Sequence, residues 1–373
     1  MPQAQGQTYT GLKLGRLRVA VQQEIRFCTS SDGVGLAMAL YGSGPVLVKA
    51  ATWLTHVERD LGSFLDRALI DEFAPRFRYV TYDSRGCGLS ERHVDEISLE
   101  VWVRDLEAVV DALGLETFPL LGISQGAAIA VAYAARHPDR VTRLILLNGF
   151  ATSYFTSQRV DAKVIEEAET LLKLVELGWG SAQPSFRQVF VSKFLPDATT
   201  EQRNAFDELQ KATATPEMAV RYLRAMFSIN VRDQATQVRC PTLVMHSKGD
   251  QMITFEQGRR LAALVPGAQF VPLPGNNHVP FDHEPAWTHF VQQARAFLGS
   301  TEKLPTAKVA LTPRQLEVLT RVAHGRTDKE IARELTLSPR TVEMHVAAAM
   351  RALSAKTRAE AVRAASAQGH IEG

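Results

Sequence analysis

The chain has 373 residues, of which 45% are hydrophobic and 22% charged, which is an ordinary composition for a globular protein. A chain of this length is too long for one small core. We therefore expect two domains. No apolar run reaches the roughly 18 residues that span a bilayer, and the N-terminus lacks a signal-peptide core, so we expect a cytoplasmic protein without a membrane partner. Because Cys28, Cys87 and Cys240 are widely spaced, they predict neither a disulfide framework nor a zinc site, and we expect no metal and no cofactor.

Charge is unevenly distributed along the chain. The formal net charge is +2, and residues 301–373 carry 12 Lys and Arg against 8 Asp and Glu, so this end has a net charge of +4. Residues 1–300 therefore carry −2. A basic end on an acidic body is compatible with contact between that end and nucleic-acid phosphates.

Strands and helices alternate through the first half of the chain. Short apolar runs between Gly and Asp turns, IRFCTS, VGLAMALYG and PVLVKAA, predict three strands. FLDRALIDEFAP predicts a helix, RYVTYD a strand, SLEVWVRDLEAVVDALGL a helix, FPLLGIS a strand followed by a helix, and RVTRLILLNGF a strand. This alternation favours an α/β fold with a mostly parallel sheet that is covered on both faces.

Residues 152–235 break the alternation. DAKVIEEAETLLKLVELGW places apolar residues on one helical face, and we interpret the stretch as a helical lid. The predicted face consists of Val164, Ala168, Leu171, Leu172 and Val175. Strands and helices then resume from PTLVMHS to AWTHFVQQARAFL, and the polar, proline-containing residues 299–310 indicate a linker. We therefore predict a first domain over 1–298 and a small all-α domain over 311–373.

A Gly-x-Ser-x-Gly motif follows one of the predicted strands. Gly122, Ser124 and Gly126 lie between the strand ending in LLGIS and the helix AAIAVAYAARHP, the setting of a nucleophile elbow. A serine hydroxyl becomes a good nucleophile when a histidine accepts its proton and an acid orients that histidine. Asp250 comes just after a later strand, and His278 lies in the loop after the next one.

This Ser, Asp, His order resembles the α/β-hydrolase family, and the resemblance covers residues 24–298. YDSRGCGLS adds a second match, to the family's Asp-x-Arg-Gly-x-Gly-x-Ser turn. The resemblance implies a catalytic triad of Ser124, Asp250 and His278. Three alternatives stay open: Ser124 is a small residue at a helix start, Asp250 is a turn former, or His283 is the base.

The chain departs from this family at the predicted oxyanion hole. Many relatives carry His-Gly after the third strand, where this chain has KAATWLTHVERD. The hole needs backbone N–H groups, so we assign one donor to Gln125 and the other to Thr52 or Trp53. The same stretch resembles the hydrolase-like domains that are fused to bacterial regulators and cyclases.

The lid and the predicted hole together suggest a mainly apolar pocket. Its candidate lining residues, for most of which ordinary core packing is the favoured interpretation, are Trp53, Trp179, Phe186, Phe190, Phe194 and Met226. An ester, thioester or lactone with an acyl or aromatic part is the expected ligand.

Residues 311–362 resemble the LuxR-type (FixJ-like) helix-turn-helix throughout. LTPRQLEVL matches its opening helix, HGRTDKEIARELTLS the first half of the motif, SPRTVEMHV the start of the recognition helix and RAEAV the closing helix. Thr312-Pro313 and Ser338-Pro339 predict helix starts, and Gly325 predicts a helix end. A small helical bundle used for dimerisation is the alternative.

The recognition helix of this motif enters the major groove with its N-terminal part. We expect groove contacts from Arg340, Thr341, Glu343 and His345, and phosphate contacts from Lys329 and Arg351. Ala347, Ala348 and Ala352 stand where relatives often have Arg, Asn and Lys, which predicts weaker and less salt-sensitive binding. Because one module reads a short half-site, we expect a homodimer, formed through the closing helix around Val362.

These features predict a transcription regulator. In this hypothesis the α/β-hydrolase domain senses a small acyl ester or lactone, whose slow hydrolysis is compatible with the triad, and the C-terminal helices bind promoter DNA. The alternative is a serine esterase or lactonase whose C-terminal domain serves oligomerisation only.

Overall fold

One eight-stranded sheet forms the centre of the first domain. The computed structural model describes residues 21–53, 55–156, 162–179, 181, 185–299, 311–353, 355, 357–367 and 371. The strands are β1 (Gln23–Thr29), β2 (Gly35–Tyr41), β3 (Val46–Lys49), β4 (Arg78–Tyr82), β5 (Phe118–Ile123), β6 (Val141–Leu147), β7 (Thr242–Ser247) and β8 (Gln269–Leu273).

The strand order is β1-β2-β4-β3-β5-β6-β7-β8, and all strands from β4 to β8 run parallel. β2 is antiparallel to both β1 and β4. A parallel arrangement needs crossover helices, which is why helical and strand patterns alternate in the sequence. The predicted α/β class is confirmed.

Ten helices lie within the part of this domain that the structure describes. They are α1 (Phe64–Phe73), α2 (Leu99–Ala112), α3 (Gln125–Arg136), α4 (Ala162–Gly178), α5 (Ser185–Phe194), α6 (Thr200–Thr213), α7 (Pro216–Phe227), α8 (Arg232–Ala235), α9 (Phe255–Leu264) and α10 (Pro285–Gly299). None of the described helices is long and apolar enough to cross a membrane.

Each face of the sheet has its own apolar core, because side chains alternate along a strand. In β3, Leu47 belongs to the core that includes α1 and α10, whereas Val48 belongs to the core that includes α2, α3 and the lid. Both side chains are fully buried. A sheet that is covered on both faces leaves the loops at its strand ends free to carry polar groups.

The lid consists of α4 to α8, between β6 and β7. Four of the five residues predicted on the inner face of α4 are buried, and Val164 is half-buried. Trp179 and Met226 are also buried in this core. The side chains of Phe186 and Phe190 lie outside the described part of the chain.

The YDSRGCGLS turn is held by polar contacts. The Asp83 carboxylate accepts N–H bonds from Val57 and Leu89, at 2.9 and 2.8 Å. Gly88 has φ +55°, and a Cβ there would lie 2.0 Å from Oδ2 of Asp83, so no other residue fits. The Ser90 hydroxyl donates to the carbonyl of Asp83 at 2.7 Å. This motif therefore stabilises the loop after β4.

Four helices form the C-terminal unit: α11 (Pro313–Ala323), α12 (Asp328–Leu335), α13 (Pro339–Ala352) and α14 (Arg358–Ala367). The hydroxyls of Thr312 and Ser338 accept N–H bonds at the starts of α11 and α13, as predicted. Gly325 has φ +75° just after α11. The predicted linker covers residues 299–310; Gly299 is the last residue of α10, and residues 300–310 lie outside the described part.

Candidate active site and DNA-binding surface

Ser124 sits in a strained turn between β5 and α3. Its backbone has φ 55° and ψ −123°, a conformation that L-residues rarely adopt. A Cβ at Gly122 would lie 2.6 Å from Cα of Ala127, and one at Gly126 would lie 2.9 Å from the Ala51 carbonyl oxygen. The two glycines of the motif are therefore required by close backbone packing.

His278 and Asp250 form a hydrogen-bonded pair. Nδ1 of His278 lies 2.7 Å from Oδ2 of Asp250, and both side chains are almost completely buried. The other carboxylate oxygen of Asp250 accepts N–H bonds from Met252 and Ile253, at 2.8 and 3.0 Å. These bonds fix the carboxylate, which in turn orients the imidazole.

Ser124 and His278 line one cavity. Among the described residues, Nε2 of His278 is buried and has no hydrogen-bond partner, so the structure has no bond between it and the serine hydroxyl. Such bonds are often long in ligand-free sites and tighten with substrate. His283, the alternative base, is about half exposed and pairs with Asp282 at 3.5 Å.

The cavity is mostly apolar and holds about 60 Å³ of space accessible to water. Phe194, Leu195, Phe206 and Leu209 line it from the lid, and Thr52 and Trp53 line it from the loop after β3. It also contains two charged residues, Lys49 and Asp66. No group of His, Cys, Asp and Glu in the described part of the chain is arranged to hold a metal ion.

The C-terminal unit has two small apolar cores. Val318, Ile331, Val342 and Val346 are buried where α11, α12 and α13 meet. Three residues, Thr336 to Ser338, connect α12 to α13, a turn of the length that a helix-turn-helix requires.

Most of the predicted DNA contacts lie on the surface of this unit. Lys329, Arg340, Glu343 and Arg351 are exposed, and His345 is half-buried. Thr341 differs, because its hydroxyl lies 2.7 Å from that of Ser338 and its N–H bonds to the same hydroxyl, so it takes part in the helix cap.

Met344 is a surface residue that the sequence interpretation missed. Its side chain is 64% exposed on α13, beside Glu343 and one turn after Arg340. A large exposed apolar side chain on a recognition helix can contact the methyl group of thymine. Its position four residues after Arg340, on the same helix face, was available from the helical period.

Two family models match the chain, one in each of its two parts. The family model described as alpha/beta hydrolase fold matches residues 56–285. The chain belongs to this α/β-hydrolase family. The family model described as bacterial regulatory proteins, luxR family, matches residues 309–365. The chain therefore fuses an α/β-hydrolase domain to a LuxR-family helix-turn-helix domain.

Similar proteins of known name are hydrolases. One is 2-hydroxymuconate semialdehyde hydrolase of Pseudomonas sp. (strain CF600), which is 29% identical to this chain over 276 residues. The match covers 69% of this chain and 84% of the relative. This chain is also 27% identical over 283 residues, 70% and 88% of the two chains, to 2-hydroxy-6-oxo-2,4-heptadienoate hydrolase of Pseudomonas putida.

Solved structures share the fold of the α/β-hydrolase domain. An esterase from Exiguobacterium antarcticum has a TM-score of 0.63 and 23% identity, over 74% of this chain and 99% of the esterase. An enol-lactonase from Burkholderia xenovorans LB400 has a TM-score of 0.58 and 21% identity, over 74% and 100% of the two chains.

The three candidate oxyanion residues lie around the serine of the α/β-hydrolase domain. Gln125 is the first residue of α3, and its side chain is fully buried, with no hydrogen-bond partner among the described residues. Thr52 and Trp53 line the cavity together with Ser124. Their assignment as oxyanion donors stays a prediction.

Asn148 is a second residue that the sequence interpretation missed. It follows β6 with φ +49°, and its buried side-chain amide donates to the carbonyl of His278 and, at 3.2 Å, to the hydroxyl of Ser247. Its side-chain oxygen accepts the N–H of Ser247 at 2.7 Å. A buried polar residue at the end of a central strand, as in LLNGF, is the signal that could have identified it.

The lid touches the histidine directly. The backbone N–H of His278 donates to the carbonyl of Phe194 at 2.7 Å, and the two rings pack edge to face with centroids 5.2 Å apart. The side-chain oxygen of Asn277 accepts the N–H of Asp197 at 3.1 Å. The chain segment after α5 is therefore bonded to the loop that carries His278.

Proposed function

We propose that this chain is a ligand-responsive, DNA-binding transcription regulator. In this proposal residues 1–298 bind and slowly hydrolyse a small acyl ester or lactone, and residues 311–373 bind promoter DNA. The observation that carries the proposal is the presence, in one chain, of two features: a hydrogen-bonded His-Asp pair whose histidine lines the same cavity as a serine elbow, and a helix-turn-helix.

The positions of the three groups support the following catalytic roles. Ser124 is the nucleophile, His278 accepts its proton through Nε2, and Asp250 stabilises the imidazolium that forms. The backbone N–H groups of Gln125 and of Thr52 or Trp53 would stabilise the negative oxygen of the tetrahedral intermediate. The intermediate then collapses to the acyl-serine ester as the bond to the alkoxide breaks and His278 gives that oxygen its proton. In the second half of the reaction His278 takes a proton from water, which attacks the ester and releases the acid and free Ser124.

The cavity and the relatives support a small acyl ligand. The walls are mainly apolar, which suits an acyl chain or an aromatic ring. Hydrolases of 2-hydroxymuconate semialdehyde and of 2-hydroxy-6-oxo-2,4-heptadienoate are among the relatives, and an enol-lactonase shares the fold. Because only about 60 Å³ is free, we expect the lid to move when the ligand binds.

Sensing requires that the ligand bind two conformations of the protein unequally. The lid is the element whose position a ligand in this cavity would change, because four lid side chains form part of its wall. The property that the ligand changes would be promoter binding, through Arg340, Thr341, Glu343, His345, Lys329 and Arg351. A homodimer would place two recognition helices on two half-sites.

The first test measures hydrolysis of 4-nitrophenyl butyrate by the full chain. We expect Ser124→Ala to reduce kcat/KM by about 10³-fold or more, since removing a triad nucleophile has effects of this order. His283→Ala is the matched control and should leave kcat/KM within about twofold. Equal turnover by Ser124→Ala and the unaltered protein would exclude Ser124 as the nucleophile.

The second test measures DNA binding. Selection from a random duplex pool should enrich one sequence, and Arg340→Ala with His345→Ala should weaken binding to it by about tenfold or more. Arg260→Ala, which removes an exposed arginine from the α/β-hydrolase domain, is the charge control. Failure to enrich any sequence would favour the esterase whose C-terminal domain only oligomerises it.

The third test links the two sites. Small molecules that a Ser124→Ala variant retains from cell extract would be identified by mass spectrometry and added to the DNA-binding assay. We expect the retained molecule to change the affinity for the selected DNA. An unchanged affinity at saturating ligand would contradict sensing.

A further inference from the structure

Lys49 occupies an unusual place in the α/β-hydrolase domain. It is the last residue of β3, its side chain is only 3% exposed, and it lines the same cavity as Ser124 and His278. Side-chain alternation puts it on the same face of the sheet as Leu47, which is a fully buried core residue. A charged side chain is unexpected at this position, because burying an ammonium group costs desolvation free energy.

The ammonium group has unused hydrogen-bonding capacity. Among the described residues, its hydrogen-bond partner is Asp66, with 3.3 Å between Nζ and Oδ1. Lysine offers three N–H donors, and this one bond is long for a charge-assisted contact. Two donors are therefore available to a molecule in the cavity.

The ion pair with Asp66 explains the buried cation only partly. Asp66 is in the first turn of α1, its side chain is 24% exposed, and its other oxygen accepts a bond from the hydroxyl of Ser63 at 2.9 Å. Solvent therefore screens the charge of the Asp66 carboxylate, whereas the Lys49 ammonium group is buried. A second acid, Asp60, is buried nearby, but its Oδ2 accepts hydroxyl bonds from Tyr41 and Thr81, both at 2.9 Å, and among the described residues it has no hydrogen bond to Lys49.

We propose that Lys49 binds a carboxylate of the ligand, so that the molecule held in this cavity is an acyl compound with a second, anionic end. The proposal rests on the proposed function, since it assumes that the cavity binds a ligand. It narrows that function from acyl compounds in general to oxo acids, half-esters of dicarboxylic acids and lactones that carry a carboxylate. One small molecule would contact Ser124 through its acyl carbon and Lys49 through its carboxylate.

The experiment measures direct binding of three aryl ketones, which resemble 4-nitrophenyl esters but resist hydrolysis. The probes are 5-(4-nitrophenyl)-5-oxopentanoate, 1-(4-nitrophenyl)hexane-1,5-dione and 1-(4-nitrophenyl)hexan-1-one, whose far ends are a carboxylate, a ketone and a methyl group. Titration calorimetry with the full chain gives their Kd values. We expect the carboxylate probe to bind about tenfold or more tightly than either neutral probe.

Two variants distinguish binding by Lys49 from a purely structural ion pair. Lys49→Met with Asp66→Asn removes both charges and should abolish the preference for the carboxylate probe. Asp66→Asn alone removes the competing anion and should strengthen carboxylate binding several-fold while leaving the neutral probes unchanged. Circular dichroism spectra that match those of the unaltered protein ensure that each variant is folded.

Other outcomes overturn the proposal. Equal affinity for all three probes, tighter binding of the dione, or no measurable binding of any probe would contradict an anion site at Lys49. So would a carboxylate preference that survives Lys49→Met with Asp66→Asn. These readouts do not depend on turnover or on DNA, so loss of 4-nitrophenyl butyrate hydrolysis in Ser124→Ala tests the proposed function separately.

Discussion

The side chain of Asn148 connects two loops that carry candidate catalytic groups. It bonds to the carbonyl of His278 and to both the N–H and the hydroxyl of Ser247, three residues before Asp250. It touches no reacting atom. We regard it as a positioning residue, whose effect on catalysis passes through the histidine and the acid.

We expect Asn148→Gly to reduce kcat for 4-nitrophenyl butyrate about tenfold with little change in KM, because a displaced imidazole affects the transition state more than binding. Glycine tolerates the φ of +49° at this position, so the variant tests the amide and not the backbone. Asn230→Gly, at an exposed asparagine, is the control. A changed KM with unchanged kcat would contradict a positioning role.

Arg85 forms a deeply buried ion pair in the α/β-hydrolase domain. Its guanidinium contacts Asp105 at 2.6 Å, with both side chains 1% exposed, and Asp32 at 2.8 Å. The contact with Arg85 lowers the pKa of Asp32 to about 2, whereas burial raises the pKa of Asp105. Asp105 therefore depends on Arg85 for its charge compensation.

We expect Arg85→Met to lower the free energy of unfolding by about 3–5 kcal/mol, because it leaves the Asp105 carboxylate buried without a cation. Adding Asp105→Leu should recover more than half of this loss. Urea unfolding followed by tryptophan fluorescence reports on the α/β-hydrolase domain, because all four tryptophans lie before residue 288. A loss below about 1 kcal/mol for the single variant would show that the pair is unimportant.

At the scale of elements, the turn between α12 and α13 contains a strained residue. Thr336 ends α12 in the left-handed conformation, with φ 53° and ψ 48°, which is unfavourable for a β-branched side chain. The next residue, Leu337, donates its N–H to the carbonyl of Ala332 at 2.8 Å and so completes the cap. The turn geometry is correct for a helix-turn-helix, but the residue at this position is not the most favourable one.

We expect Thr336→Asn to stabilise this turn by about 1 kcal/mol, because asparagine adopts the left-handed region more easily. In the full chain, amide hydrogen exchange over residues 328–352 should slow about fivefold. Thr236→Asn is a matched control, since Thr236 ends α8 with an ordinary φ of −72°. Faster exchange in Thr336→Asn would mean that a contact of the threonine side chain stabilises the turn by more than its left-handed backbone destabilises it.

At the scale of the whole molecule, the assembly state decides how DNA is read. In α14, Ala361 and Ala365 are fully buried within the C-terminal unit, whereas Val362 is only partly buried there. This leaves Val362 available to a second copy of the chain. Two recognition helices related by a two-fold axis would bind two half-sites about one helical turn of DNA apart.

We expect sedimentation velocity to detect a dimer and Val362→Arg to convert it to a monomer, since a charge at a small apolar contact is unfavourable. Affinity for the selected DNA should fall together with dimerisation, while hydrolysis of 4-nitrophenyl butyrate should not change. Arg363→Ala, at the neighbouring exposed position, is the control. A dimer that persists in Val362→Arg would place the interface elsewhere.

The sequence was informative where a physical requirement is local. Gly122 and Gly126 are required by backbone packing around Ser124, so the turn was recognisable from five residues. Capping by Thr312 and Ser338 is local in the same way, and it located the C-terminal helices. The order of Asp250 and His278 along the chain identified a pair that the fold brings within hydrogen-bonding distance.

Residues whose role depends on distant neighbours were missed. Lys49 ends an ordinary strand pattern, and only the fold reveals that it lies in the cavity beside Asp66. Asn148 likewise bonds to a residue 130 positions away. The candidate aromatic lining divides for the same reason: Trp53 and Phe194 reach the cavity, whereas Trp179 and Met226 pack in the core. Periodicity identifies an inward face, but it does not distinguish a core from a cavity wall.

The bond between the His278 N–H and the Phe194 carbonyl has a consequence for timing. In the proposed function, lifting the lid at this point would break a main-chain contact of the histidine itself, so a ligand would be admitted in one conformation and cleaved in another. Each turnover would then wait for the segment after α5 to re-form this bond before the slow chemical step. We expect such a delay to prolong the change in DNA affinity that follows the binding of each ligand molecule.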